Sequence, residues 1–131
     1  MKLVRPAELT DTAPYAYAAV SPPGSRLIFT AGACPLDADG ATVAPGDVAG
    51  QAEQVMENLR IALRGAGADL DDVFKTTVYV VSADRADLVT AWDVVRRHFG
   101  NHDAPSTLLG VATLGYRDQL VEVEAIAAVG E

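Results

Sequence analysis

Val73-Phe74-Lys75-Thr76-Thr77-Val78-Tyr79-Val80-Val81 is a nine-residue run dense in β-branched and aromatic side chains. Such residues suit a pleated, half-buried surface, so the run reads as a central strand with both faces at least partly covered. The two-residue period of a strand puts Lys75, Thr77 and Tyr79 on one face. That face then carries a cation, a hydroxyl and a phenol.

On either side of this strand the period changes to that of a helix. Downstream, Asp84 is placed to cap a helix whose apolar positions are Leu88, Ala91, Trp92, Val95 and Phe99, and Gly100-Asn101 ends it. Upstream, Val48, Ala52, Val55, Met56, Leu59 and Leu63 form one apolar stripe, with Gln51, Glu53, Gln54, Glu57 and Arg60 mostly elsewhere. Asp47 is the expected N-cap, and Gly65-Ala66-Gly67 supplies the stop. These glycines do not make a phosphate loop, because no strand leads into them and no Lys-Ser/Thr pair follows.

Further out, Thr107 to Thr113 and Leu120 to Val129 read as strands around the turn 114–119. Tyr15 to Val20 and Arg26 to Thr30 read as a hairpin across Ser21-Pro22-Pro23-Gly24-Ser25. The stretch containing Pro35, Asp37, Gly40, Pro45 and Gly46 is turn chemistry and reads as a surface loop. The resulting order, β-β-α-β-α-β-β, has two helices whose single apolar stripes need one sheet face. This is an α+β arrangement with both helices on one side of a mixed sheet.

In the last strand, Val121, Val123, Ala125 and Ala127 alternate with Glu122, Glu124, Ile126 and Ala128. The second set points away from the helices, which leaves two carboxylates on the uncovered face. That pattern suits either a solvated surface or a subunit interface with polar pockets.

Composition bounds the function. At 131 residues the chain fits one domain, 1–131, and its 50% hydrophobic content supports a core. A net charge of -8 with scattered Lys and Arg argues against gripping phosphate backbones or anionic membranes, so neither nucleic acid nor a membrane is an expected partner. The lone Cys34 cannot form an internal disulfide, and Met1 to Pro6 lacks the apolar run of a signal peptide; both fit a cytoplasmic protein. No metal is expected, since His98 and His102 are separated by Gly100 and lack a third ligand at suitable spacing. His98 instead suits the negative end of its helix. Cys34 has no basic neighbour in sequence to lower its pKa and reads as a buried or bystander thiol rather than a nucleophile.

Four segments resemble the RidA (YjgF) family. Thr30-Ala31-Gly32-Ala33-Cys34-Pro35 is similar to its Thr-Ser-Gly-Gln-x-Pro loop, and Gln51 through Asn58-Leu59 to its first-helix signature. Lys75-Thr76-Thr77-Val78-Tyr79 is similar to its Lys-x-Thr-Val-Tyr strand, and Val121-Glu122-Val123-Glu124-Ala125 to its closing Val-Glu-Ile-Glu-Ala strand. The resemblance implies a chorismate-mutase-like fold and a homotrimer packed around a central barrel, with ligand clefts at the subunit boundaries. It implies hydrolysis of reactive enamines and imines, released from amino acids by pyridoxal-phosphate enzymes, without cofactor or metal. Glu122 matches the glutamate that positions the water, Tyr15 a cleft tyrosine, and Gly32 a glycine whose backbone approaches the ligand.

The chain departs from the family pattern at the arginine that holds the substrate carboxylate. Ser106 stands at that position, next to Thr107. A hydroxyl offers one neutral hydrogen bond where a guanidinium fork offers two charge-assisted ones, each roughly twice as strong. A substrate without the amino acid carboxylate is therefore favoured, with Ser106, Thr107, Trp92 (where Asn is common) and Arg117 as contacts. The alternative is a trimer that binds a small molecule without turnover.

Overall fold

Two aspartates start the helices where the sequence places them. In this computed structural model, which describes residues 1–130, Asp47 Oδ1 accepts from Gly50 N at 2.9 Å to open α1 (Val48–Gly65). Asp84 Oδ1 accepts from Ala86 N at 2.9 Å to open α2 (Arg85–Phe99). Each bond satisfies one of the free N–H groups of a first turn. The chain leaves both helices through glycines with left-handed backbone, Gly67 at φ +87° and Gly100 at φ +62°.

The strands are β1 (Lys2–Val4), β2 (Ala18–Val20), β3 (Arg26–Phe29), β4 (Val73–Val81), β5 (Ser106–Val111) and β6 (Val121–Val129). Four of them make one mixed sheet in the order β3-β6-β4-β5, with β4 and β5 parallel and the other pairs antiparallel. The parallel pair follows from α2, which carries the chain back between the two strands. Both helices pack on one face, where Met56, Leu59, Leu63 and Val95 meet Val78, Val80, Val121 and Val123, all fully buried.

The expected hairpin does not form. β2 pairs with β1, and β3 pairs with β6 instead. Pro22 and Pro23 supply no N–H for a ladder, and Tyr15 to Tyr17 are tied elsewhere. Ala16 N donates to Asp103 O at 2.9 Å, and Tyr17 N to Val4 O at 3.0 Å. β5 also stops at Val111 rather than Thr113, because its partner β4 ends at Val81, opposite Val111.

Gln51, expected mostly off the apolar stripe, is fully buried. Its amide Nε2 donates to Asp118 O at 2.8 Å and to Ala44 O at 3.3 Å, while Oε1 accepts from Leu120 N at 2.7 Å. Burial of this amide is compensated because all three bonds go to backbone, with Asp118 O and Leu120 N outside any ladder and Ala44 O shared with Asp47 N.

The face opposite the helices carries the expected mixed chemistry. A bulge at Phe74 shifts the register between Val73 and Lys75, after which Lys75, Thr77 and Tyr79 stand opposite Ile126, Glu124 and Glu122. The same face exposes Leu27, Leu109 and Phe29, the last at 70%. Among the described residues, no helix is long and apolar enough to cross a membrane.

Candidate functional site

Glu122 is held more firmly than an exposed strand carboxylate. The segment after β3 runs beside β6, where Thr30 N donates to Ala125 O at 3.0 Å and Ala33 N to Val123 O at 2.7 Å. This lays Gly32 flat against Glu122, so that a Cβ at residue 32 would stand 2.4 Å from Oε2 and 2.5 Å from Cδ. Only glycine permits that approach with the carboxylate in place. Oε1 accepts from Cys34 Sγ at 3.3 Å and from Gln119 Nε2 at 3.2 Å. No donor among the described residues reaches Oε2. One oxygen is fixed and the other is open.

Cys34 is partly buried against this carboxylate. Its thiol is pushed up to about 11, chiefly by burial, then by its hydrogen bond to Glu122 and the charge of that carboxylate, with Gln119 acting in the opposite sense. It is a neutral donor rather than a nucleophile. The loop carrying it is fixed by Asn58 of α1, whose Nδ2 donates to Cys34 O at 2.8 Å and Leu36 O at 2.9 Å. Gln51 fixes the other side, at Asp118 and Leu120 flanking Gln119. Two polar residues on the buried side of α1 thus hold both chain segments that grip Glu122.

A second cluster lies at the β5 edge. Pro14, Tyr15, Trp92, Ser106, Thr107 and Leu108 line a cleft of about 520 Å³. Tyr15 meets Trp92 edge to face, with ring centres 6.3 Å apart and planes at 84°. Ser106 Oγ lies 2.6 Å from Thr76 Oγ1 and donates to Ala104 O at 3.0 Å. Thr107 Oγ1 accepts from Lys75 Nζ at 2.7 Å. Beside it, Phe29, Lys75, Thr77, Glu124 and Ile126 border a smaller hollow of about 170 Å³ on the helix-free face. Within that face Tyr79 donates to Glu124 Oε1 at 2.7 Å, a bond that raises the phenol above its ordinary pKa.

The structure brings Tyr15, Trp92, Ser106 and Thr107 together, and separately joins Gly32 to Glu122. It does not unite the two groups within one chain. Thr107 stands opposite Thr77, which stands opposite Glu124, so Glu122 lies two strand spacings away, roughly 10 Å, and two residues along. Arg117 belongs to neither group; it is exposed in the turn before β6, where its carbonyl accepts from Thr42 Oγ1 at 2.8 Å.

The two histidines serve separate contacts. His98 Nε2 lies 2.7 Å from Glu53 Oε2, and Arg97 bonds the other oxygen of the same carboxylate, which holds Glu53 below its usual range. His102 Nε2 lies 2.6 Å from Val73 O. The described residues contain no group of three or more His, Cys, Asp or Glu able to hold a metal.

Sequence reasoning missed Cys34 and Gln119 as neighbours of Glu122. The only hint was positional, since Gln119 ends the turn immediately before the last strand.

Comparison with known proteins settles the lineage. The family model described as Endoribonuclease L-PSP matches residues 6–129. The chain belongs to that family. It is 37% identical over 102 residues to a RutC family protein of Pyrococcus abyssi, covering 78% of each. It is 32% identical over 130 residues to the 2-iminobutanoate/2-iminopropanoate deaminase of Rattus norvegicus, covering 98% of this chain and 93% of that one. The crystal structure of the Rid family protein YyfB from Yersinia pestis superposes with a TM-score of 0.89 at 29% identity, over 98% of both chains. The RidA resemblance and the helices-on-sheet architecture are those of this family.

Proposed function

We propose that the chain is a one-domain subunit of a cytoplasmic homotrimer that adds water to a small enamine or imine. The observation that carries this reading is the asymmetry of Glu122, with Oε1 held by Cys34 and Gln119 and Oε2 open above Gly32. A carboxylate so fixed orients a water and accepts its proton. The deaminase named among the relatives supports the reaction class.

Three copies pack their helix-free faces together, burying Leu27, Phe29 and Leu109 around a central barrel. The Glu122 end of one copy then meets the Tyr15, Trp92, Ser106 and Thr107 cleft of the next, which completes a site that one chain holds in two halves. In the reaction, an enamine first takes a proton at carbon as its N–H is lost, giving the imine; water oxygen then bonds to the C=N carbon, and one water proton passes to Glu122 Oε2 and on to nitrogen. The remaining hydroxyl proton then moves through Glu122 to nitrogen as the C–N bond breaks and the carbonyl forms, and ammonia leaves. No cofactor or metal takes part. RNA is not the substrate, because a net charge of -8 repels phosphate.

A second reading is a trimer that holds a small molecule without turnover. The observation favouring it is Ser106, whose hydroxyl is already engaged where a guanidinium would have anchored a carboxylate.

One experiment separates the two. 2-Aminoacrylate is generated with a pyridoxal enzyme and pyruvate release is followed for wild type, Glu122→Ala, Ser106→Arg and Ser106→Arg/Glu122→Ala. Ser106→Arg is expected to raise the rate about tenfold or more, the worth of a charge-assisted hydrogen bond, and Glu122→Ala to abolish that gain. An active wild type whose rate survives Glu122→Ala would refute the role of the glutamate. Inertness of every variant would favour the binding reading. Sedimentation showing a stable monomer at working concentration would remove the intersubunit site altogether.

A further inference from the structure

The lining of the β5-edge cleft says what kind of molecule it takes, given the reading above that this cleft holds the ligand. Four of its six residues, Pro14, Tyr15, Trp92 and Leu108, present carbon surface, and the remaining two are Ser106 and Thr107. The question is whether those two hydroxyls can hold an anion.

Ser106 cannot. A serine hydroxyl has one hydrogen. The carbonyl of Ala104 can only accept, so at 3.0 Å it takes that hydrogen. The 2.6 Å contact with Thr76 is then a bond donated by Thr76. Ser106 faces the cleft with a lone pair, which repels a carboxylate. Thr107 accepts from Lys75 and keeps its own hydrogen, so it can give one neutral bond. Lys75 itself lines the neighbouring hollow together with Glu124 and is absent from the lining of the aromatic cleft. The net charge of -8 adds long-range repulsion of any anion.

The aromatic side of the cleft is, by contrast, preorganised. Trp92 stands against Tyr15 edge to face, and Tyr15 stands against Tyr17 in the same manner at 6.0 Å and 73°. Tyr17 is anchored through its hydroxyl to Thr10 O at 2.8 Å. The three rings brace one another, so a flat apolar group meets a fixed wall and little side-chain freedom is lost on binding. A volume of about 520 Å³ falls within the range of small-molecule sites.

We infer that this cleft selects an uncharged imine, enamine or carbonyl compound bearing an aromatic or bulky apolar group, with Tyr15 and Trp92 as its specificity-determining residues, over 2-imino and 2-keto acids. The defining contacts are carbon against ring faces and edges, with Thr107 giving the single polar bond.

Three ketones test this by titration calorimetry on the intact protein. Phenylacetone and phenylpyruvate differ only in a methyl group against a carboxylate, and pyruvate keeps the carboxylate without the ring. Phenylacetone is expected to bind at least tenfold more tightly than phenylpyruvate, with pyruvate weakest. Tyr15→Ala and Trp92→Leu should each weaken phenylacetone at least fivefold; Trp92→Leu keeps apolar bulk on α2, and thermal unfolding checks that each variant is folded. Ile61→Ala, on the exposed side of α1 and away from the cleft, should leave ketone binding within twofold. If phenylpyruvate or pyruvate binds more tightly than phenylacetone, the selectivity is wrong while the ligand site stands. If phenylacetone affinity is unmoved in folded Tyr15→Ala and Trp92→Leu, the aromatic wall is not the determinant. If none of the three binds, the reading of this cleft as a ligand site fails, and the selectivity with it.

Discussion

At the Glu122 end of the site, segments far apart in the chain converge on one carboxylate, whereas at the Ser106 end a hydroxyl turns inward and rings line the opening. Cys34, Gln119 and Gly32 fix the carboxylate, and Gln51 and Asn58 of α1 fix the segments that carry them. At the β5 edge the polar lining is two hydroxyls, Thr107 held by one bond from Lys75 and Ser106 bonded to Thr76 and Ala104. Polar contacts are thus concentrated around the Glu122 carboxylate, and apolar surface around the β5-edge cleft. The two ends rest on different contacts: a change at Ser106 leaves every support of Glu122 in place.

The sharpest way to break this contrast is to remove the support. Gln51→Leu fills the same space but removes the partners of Asp118 O and Leu120 N, while Ala44 O keeps its bond from Asp47 N; an unsatisfied group costs about 1–3 kcal/mol. Urea unfolding is expected to show a loss of about 2 kcal/mol or more. A loss below about 1 kcal/mol would mean that the turn before β6 does not depend on α1, and the Glu122 end would be no better built than its counterpart.

A smaller and more local effect is expected from Gly32→Ala. The added Cβ would overlap Oε2 and Cδ of Glu122, and the nearest atoms are those of a side chain able to swing away. Folding stability should change by less than about 1 kcal/mol, while imine hydrolysis falls about tenfold to a hundredfold as the carboxylate leaves its position. Unchanged turnover in the alanine variant would show that Glu122 need not occupy the place described. The same substitution at an exposed turn glycine such as Gly115, which has open space around it, is the matched control.

Most of the scaffold was legible from residue patterns because it rests on local rules. Asp47 and Asp84 cap helices through their own side chains, and the apolar stripes and the alternation of β6 report which face is covered. The β1–β2 pairing was not legible. Lys2 to Val4 is too short to show a period, and its partner was chosen by contacts with Val4 and Asp103, far apart in sequence. The burial of Gln51 was equally invisible, since its three partners lie 7 to 69 residues away and an amide on a helix ordinarily signals solvent. In the site, Glu122, Gly32, Tyr15, Trp92, Ser106 and Thr107 could be named through a resemblance, but the direction of the Ser106 hydroxyl and the grip of Cys34 on Glu122 are three-dimensional facts with no sequence signal. Arg117 is a cation on the lengthened loop before the last strand, and neither loop length nor charge says where a turn points.

The smallest expected effect is also the most specific to the Glu122 end. Because the Cys34 thiol is raised to about 11 from an ordinary 9.0, its thiolate fraction near pH 8 is roughly a hundredfold below that of a free thiol, and alkylation by iodoacetamide should be slowed accordingly. The folded state holds this proton more tightly than the unfolded one, so the associated stability is fully present below about pH 9 and is lost as pH climbs toward 11. Glu122→Gln removes both the accepting carboxylate and its charge but leaves the burial, which is the larger cause. Alkylation at pH 8 should therefore quicken by up to about tenfold without reaching the rate of the urea-unfolded chain. Ser106→Ala, at the other end of the site, should leave it unchanged. Equal rates in wild type and Glu122→Gln would mean that the thiol and the carboxylate do not touch, and Oε1 would then be held by Gln119 alone.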